Sequence, residues 1–192
     1  MTILEADGER LLIAVRALLM AKNIVTGAEL TERMAATDNA SPGQGAKMVA
    51  RAWTDPEYRA LMLEDGTKAA EAMNIPMRGM PPLGVLENTD TVHNLIVCTL
   101  CSCYPRAVLG YPPFWYKSAA YRARAVRDPR GLLGEFRTTL PDDVKIHVVD
   151  STADYRWMVL PKRPAGTEGW SVEQLTALVR EGDMVGVTIP SL

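Results

Sequence analysis

Several features that would classify a chain quickly are missing from this one. It has no charge bias: 21 basic and 23 acidic residues leave a formal net charge of -2, with an isoelectric point near 5.7. That balance argues against nucleic acid or an anionic membrane as the main partner. No stretch approaches the roughly 20 apolar residues that a membrane span needs. The most apolar N-terminal segment, LLIAVRALLM, follows Glu5, Asp7 and Glu9, is interrupted by Arg16 and has no small-residue cleavage site, so it does not read as a secretory signal. Its Leu11, Leu12, Val15, Leu18 and Leu19 recur as i, i+1, i+4, i+7, i+8, the pattern of an amphipathic helix. Internal repeats and low-complexity tracts are absent. Cysteine is scarce, with three residues in 192. A cytoplasmic location is expected, and there clustered cysteines are more often metal ligands or redox groups than structural disulfides.

The composition, 47% hydrophobic and 23% charged, is that of a soluble globular protein with one sizeable core, or a core plus a helical arm. Residues 1–80 read as a helical N-terminal arm. In it, GAEL to ATDNASPGQG (27–45) is a short helix running into a loop, AKMVARAW is helical, and Thr54 or Asp55 caps a following helix with Pro56 in its first turn and Glu57 placed for a capping box. NIPMRGMPPLG (74–84) is a Pro- and Gly-rich hinge. Residues 81–192 read as a mixed α/β domain. Two short strands are expected in GVLENTDTVHNLIVC, others in VKIHVVD (144–150), RWMVLP (156–161) and MVGVTI (184–189). Helices are expected in PPFWYKSAAYRARAVRD, with Ser118 near its start and Pro129 ending it, and in SVEQLTALVR, where Ser171 and Gln174 have capping-box spacing.

All three cysteines lie in VCTLCSC, at positions 98, 101 and 103. Three independently placed buried thiols would rarely fall so close together. A Cys98–Cys101 redox pair leaves Cys103 unexplained. A structural zinc wants four closed ligands, and His93 is available as a fourth, but such sites usually draw on two separated segments and only one exists here. An iron–sulfur cluster lacks its fourth cysteine. The remaining reading uses the short Cys101-Ser102-Cys103 spacing. It lets two thiolates and the backbone nitrogens of Ser102 and Cys103 surround one metal in a plane, with Cys98 on the axis and a sixth position open. Deprotonated amides require a strongly Lewis-acidic ion such as low-spin iron(III) or cobalt(III), and tetrahedral zinc does not fit. An open position is the mark of a catalytic metal.

VCTLCSCYP resembles the metal-binding loop of the nitrile hydratase alpha subunit. The resemblance continues through TVHNLIVCTLCSC, WYKSAAYRARAVRDPR, VVDSTADYRWMVLP and RPAGTEGWSVEQL, and includes ARAWTDPEYRALMLEDG nearer the N-terminus, so it spans roughly the whole chain. In that family a threonine after the first cysteine, as Thr99 here, accompanies cobalt, and serine accompanies iron. The resemblance implies an α+β fold, with a helical N-terminal arm followed by a layered α-β-β-α domain. It implies one cobalt(III) per chain, with iron(III) as the alternative, ligated by Cys98, Cys101, Cys103 and the amides of Ser102 and Cys103. It further implies oxidation of Cys101 to a sulfinic acid and of Cys103 to a sulfenic acid, with hydration of a nitrile to its amide as the reaction. Cys101, Ser102 and Cys103 would then be catalytic, the Ser102 hydroxyl orienting water or substrate or else simply capping a tight turn. A beta subunit, in some members split into two chains, is the implied partner, and a cobalt-inserting activator protein is a second.

Further residues attach to this frame. His93 is expected in the core or behind the metal loop. Asp150, Asp154 and Arg156 are expected to form a buried polar network there, although family members often carry glutamate where Asp154 stands. Trp115, Tyr116 and Tyr121 are core aromatics, Trp115 also being a candidate for the substrate pocket. The clearest departure is CYPRAVLG, where many members read CYPWPVLG. Arg106 replaces a pocket tryptophan with a cation and five donors, favouring a large or polar nitrile; its other placement is outward, toward a partner. The metal-binding subunit of thiocyanate hydrolase also carries arginine there, and one three-subunit nitrile hydratase acts on a nucleoside nitrile. Thiocyanate hydrolysis is therefore the second reading, and a non-catalytic metal-binding subunit is the third.

Overall fold

The computed structural model describes residues 3–192, and the chain forms two compact units, residues up to Asn39 and Ala40–Leu192. The first holds α1 (Ile3–Ala21) and α2 (Gly27–Asn39). α1 ends where Asn23 takes a left-handed conformation, φ 53°, a frequent helix stop. α2 opens on a reciprocal cap: the Glu29 N–H donates to the Thr26 hydroxyl at 3.1 Å while the Thr26 N–H donates to the Glu29 carboxylate at 2.8 Å. The apolar side chains that define the expected face of α1 stay exposed, Leu11 and Leu12 by 65% and 69%. Among the described residues no helix is long and apolar enough to cross a membrane.

The second unit opens with α3 (Pro42–Thr54), α4 (Pro56–Glu64) and α5 (Gly66–Glu71), so much of the expected arm packs with the α/β part. The loop expected to reach Gly45 is only residues 40–41, because Pro42, with its φ pre-set and no N–H to satisfy, starts α3 at once. Asp55 caps α4, accepting from the Tyr58 N–H at 3.0 Å, which leaves Glu57 outside any capping box.

Two two-stranded parallel sheets follow. β1 (Leu83–Glu87) pairs with β4 (Arg156–Leu160), and β2 (Val92–Val97) pairs with β3 (Lys145–Asp150). α4 and α5 pack on β1, the sheets meet through β1–β2 and β2–β4 contacts, and α8 (Ala119–Arg127) and α9 (Pro129–Glu135) pack on β2 and β3. The order of layers is helix, sheet, sheet, helix, as the α+β expectation has it. Between β2 and α8 run two single-turn helices, α6 (Arg106–Leu109) and α7 (Phe114–Lys117). Ser118 caps α8, and Pro129 is the first residue of α9. α10 (Val172–Leu178) carries the Ser171/Gln174 capping box.

The expected strand at 184–189 is instead the end of α11 (Glu181–Val185). MVGVTI has a strand-like composition, but Asp183 turns back to accept from the Arg180 N–H at 2.8 Å, and Gly186 closes the helix at φ 87°. A Cβ on Gly186 would lie 1.9 Å from the Asn94 carbonyl oxygen, so only glycine permits this close pass over β2.

Candidate metal centre

The cysteine loop leaves the end of β2, Cys98 following Val97 directly. In the β2–β3 register Val97 stands opposite Asp150, which brings the Asp150 carboxylate level with the loop. It accepts from the Thr99 N–H at 3.0 Å and from the Thr99 hydroxyl. On the other side the Arg122 guanidinium, from the first turn of α8, donates to the carbonyls of Thr99 and Leu100 at 3.2 and 2.9 Å. Below, the Tyr116 hydroxyl donates to the Cys103 carbonyl at 2.9 Å and the neighbouring Tyr121 hydroxyl to the Ile96 carbonyl at 2.6 Å. The loop exit is held by Tyr104, whose hydroxyl donates to Glu181 at 2.7 Å.

These ties gather the sulfurs. Cys98 Sγ and Cys101 Sγ are 3.5 Å apart, Cys101 Sγ and Cys103 Sγ 3.3 Å, and all three lie within 4.8 Å of one another. Bonds of about 2.3 Å to a common metal separate two sulfurs by about 3.3 Å at a right angle and about 3.8 Å at the tetrahedral angle. The two short separations therefore suit square or octahedral geometry better than tetrahedral. Cys98 and Cys103 are buried and Cys101 is exposed. Among the described residues neither Ser102 nor Cys103 donates its backbone N–H to a backbone carbonyl. Three sulfurs with two amide nitrogens outside the main-chain hydrogen-bond pattern are a donor set that fits iron(III) or cobalt(III).

The thiols differ in acidity. Hydrogen bonds from the Cys103 thiol and the Ser102 N–H bring Cys101 down to about 7, while burial pushes Cys103 up to about 12, partly offset by the nearby Arg156 guanidinium. Of these two thiols the exposed one is the more acidic.

His93 takes no part. It is buried, its Nε2–H donates to the Gly186 carbonyl at 2.7 Å and its Nδ1 accepts from the Asn88 amide at 3.2 Å, which occupies both ring nitrogens. A Cys3His zinc site is thereby set aside. The expected Asp150, Asp154 and Arg156 network is also divided: Asp150 holds Thr99, Asp154 is exposed, and Arg156 turns to the metal side.

Above the cysteines opens a cleft of about 420 Å³. Cys101, Ser102 and Cys103 form its floor, Met77, Met80 and Leu83 an apolar wall, and Arg106 and Arg156 its basic side. The 74–84 segment, read as a hinge, thus also builds a wall. Trp115 lies outside the cleft residues, packed edge-on against Tyr121 and Phe136 at 5.0 Å each. Sequence reasoning missed Arg122 as a loop clamp and the methionines as cleft wall. No local signal in the sequence marks either, because their partners lie far along the chain.

A model of the family described as nitrile hydratase, alpha chain, matches residues 6–188. The chain is 49% identical over 179 residues to the alpha subunit of the low-molecular weight cobalt-containing nitrile hydratase of Rhodococcus rhodochrous, covering 93% of this chain and 86% of that one. It is 40% identical over 196 residues to the gamma subunit of thiocyanate hydrolase from Thiobacillus thioparus, covering 96% and 81%. Among solved structures, a double mutant of the Fe-type nitrile hydratase of Comamonas testosteroni Ni1 superposes with a TM-score of 0.80 at 40% identity, over 96% of this chain and 91% of that one.

Proposed function

The chain belongs to the nitrile hydratase alpha-chain family, and we propose that it is the metal-holding catalytic subunit of a cobalt-type enzyme that hydrates a large or polar nitrile to its amide. The observation that carries this is the gathering of three cysteine sulfurs within 4.8 Å of one another beside a cleft of about 420 Å³ that Cys101, Ser102 and Cys103 line. Cys98, Cys101, Cys103 and the Ser102 and Cys103 amides would hold the ion. Bound there, cobalt(III) supplies Lewis acidity toward a nitrile or water.

The chain's own groups do the rest. The reaction adds the oxygen of water to the nitrile carbon and both its protons to nitrogen. Cys101 as a sulfinic acid and Cys103 as a sulfenic acid place oxygen atoms beside the reacting carbon, and the Ser102 hydroxyl between them orients water. Arg156, whose buried Nη1 has no hydrogen-bond partner among the described residues, supplies a donor for one of those oxygens. Met77 and Met80 shape the apolar side, and their flexible thioethers accommodate varied substituents. Trp115 acts at one remove, by packing behind the loop.

Cobalt is supported over iron by Thr99 and by the 44–49% identity to relatives named as cobalt-containing. Alpha chains of this family pair with beta subunits, and a partner is supported further by the exposure of Leu100 and Phe114, 88% and 90%, on the elements flanking the cleft. The apolar face of α1 would embrace that partner, with a separate activator inserting cobalt, in the cytoplasm. Thiocyanate hydrolysis is the second reading, favoured by Arg106 and by the 40% identity to that enzyme's gamma subunit.

The test is to purify the chain with its partner and offer a nitrile panel and thiocyanate. Amide from nitriles without carbonyl sulfide from thiocyanate supports the proposal, and the reverse supports the second reading. Metal analysis should find one cobalt per chain, with about 48 Da of added oxygen on the motif peptide, three oxygen atoms. Zinc with unmodified thiols would sink both readings.

A further inference from the structure

The cleft over the cysteines has a basic side that no carboxylate in its lining offsets. Arg106 and Arg156 line it, and among the described residues no carboxylate lines it or pairs with either arginine. Most other arginines near structured elements are committed. Arg51, Arg59, Arg124 and Arg180 face carboxylates, while Arg122, Arg130 and Arg163 are taken up by backbone carbonyls.

Arg106 and Arg156 differ in their surroundings. Arg156 is half-buried, and its Nη1 has no hydrogen-bond partner among the described residues. Arg106, three residues beyond Cys103, is exposed and stands over the Tyr111 ring at 5.1 Å. An aromatic ring engages the flat face of a guanidinium and leaves its edge, where the N–H donors are, open to an acceptor. A planar, bidentate anion such as a carboxylate matches that edge. The same cleft is also lined by Met77, Met80 and Leu83, apolar surface suited to a short methylene spacer.

We propose that the cleft selects nitriles that carry a carboxylate, the nitrile end lying over Cys101–Cys103 and the carboxylate received by Arg106. The inference rests on the nitrile-hydrating reading above and narrows its substrate class. A neutral nitrile of the same length gains nothing from Arg106, whereas a carboxylate gains a charge-assisted contact with that guanidinium and an attraction that salt screens.

The experiment uses the cobalt-loaded complex of this chain with its partner subunit. It compares kcat/KM for cyanoacetate, 3-cyanopropanoate and 4-cyanobutanoate with kcat/KM for their methyl esters, at low and high ionic strength. At least one acid should exceed its ester by about tenfold or more at low salt, and the advantage should shrink as salt screens it. Arg106→Gln should lower the acid-to-ester ratio by about tenfold, and Arg106→Lys should recover part of it. Esters hydrated as well as or better than every acid, or a ratio that Arg106→Gln leaves in place, overturn the carboxylate assignment while leaving the nitrile reading standing. Absence of amide from acids and esters alike overturns both. If the variant does not assemble, competitive inhibition of the wild-type complex decides: inhibition by succinate and not by dimethyl succinate supports the assignment, and equal inhibition or none by either overturns it.

Discussion

The Asp150 carboxylate takes two hydrogen bonds from one residue, Thr99, at the N–H and at the hydroxyl. A residue at the end of β3 thereby fixes the first turn of the loop that leaves β2. Hydrogen bonds to a charged group contribute about 1.5–3 kcal/mol when shielded and less at an exposed position such as this. Asp150→Ala should therefore cost only about 1 kcal/mol in urea unfolding yet loosen the Cys98–Cys101 turn. The cobalt retained per chain after dialysis against a chelator should fall severalfold. Full retention would show that Asp150 does not order the loop.

Tyr116→Phe removes the hydroxyl that donates to the Cys103 carbonyl, its one partner among the described residues, while keeping the ring packing. Both groups are buried, so the carbonyl is left unsatisfied at a cost of about 1–3 kcal/mol. Chemical denaturation should report that loss, with the denaturant slope unchanged.

Gly186→Ala should be among the most damaging single-methyl changes in the chain, because it combines a φ of 87° with a methyl 1.9 Å from the Asn94 carbonyl oxygen. A loss above about 3 kcal/mol, or failure to accumulate as folded protein, is expected. Gly134→Ala, in α9 with nothing within 4 Å of the new methyl, is the control and should be neutral or stabilising by up to about 1 kcal/mol.

Burial holds the His93 imidazole below its ordinary 6.5, the hydrogen bond to Gly186 only partly opposing this. The folded state thus binds its proton less readily than the unfolded chain does. As pH falls through 6.5 the unfolded state is favoured progressively, and the loss is complete only below the depressed folded value. Stability measured by urea unfolding should drop between pH 7 and 5 by more in the wild type than in His93→Gln. Parallel pH profiles for the two proteins would remove His93 as the cause.

The candidate metal site was legible because it is local: Cys98, Cys101 and Cys103 lie within six residues, and their sulfurs stand within 4.8 Å of one another. The strands β1 to β4 were legible for a related reason, since alternation such as Val144, Ile146, Val148 reports one buried face. What was hidden depends on partners far along the chain. Nothing in YRARAVR marks Arg122 as a clamp on carbonyls 22 and 23 residues away, and nothing in NIPMRGMPPLG says that Met77 and Met80 will wall a cleft. The misread segment at 184–189 shows local evidence being outweighed: apolar alternation argued for a strand, while the Asp183 cap and the left-handed Gly186 decided for a helix end.

The cysteine loop is tied to three separate elements of the α/β unit. Asp150 holds it from β3, Arg122 from α8 and Tyr116 from α7. A shift in any one of these elements is therefore passed to the cysteines, so the shape of a six-residue loop reports on how residues as far apart in sequence as 99 and 150 have come together.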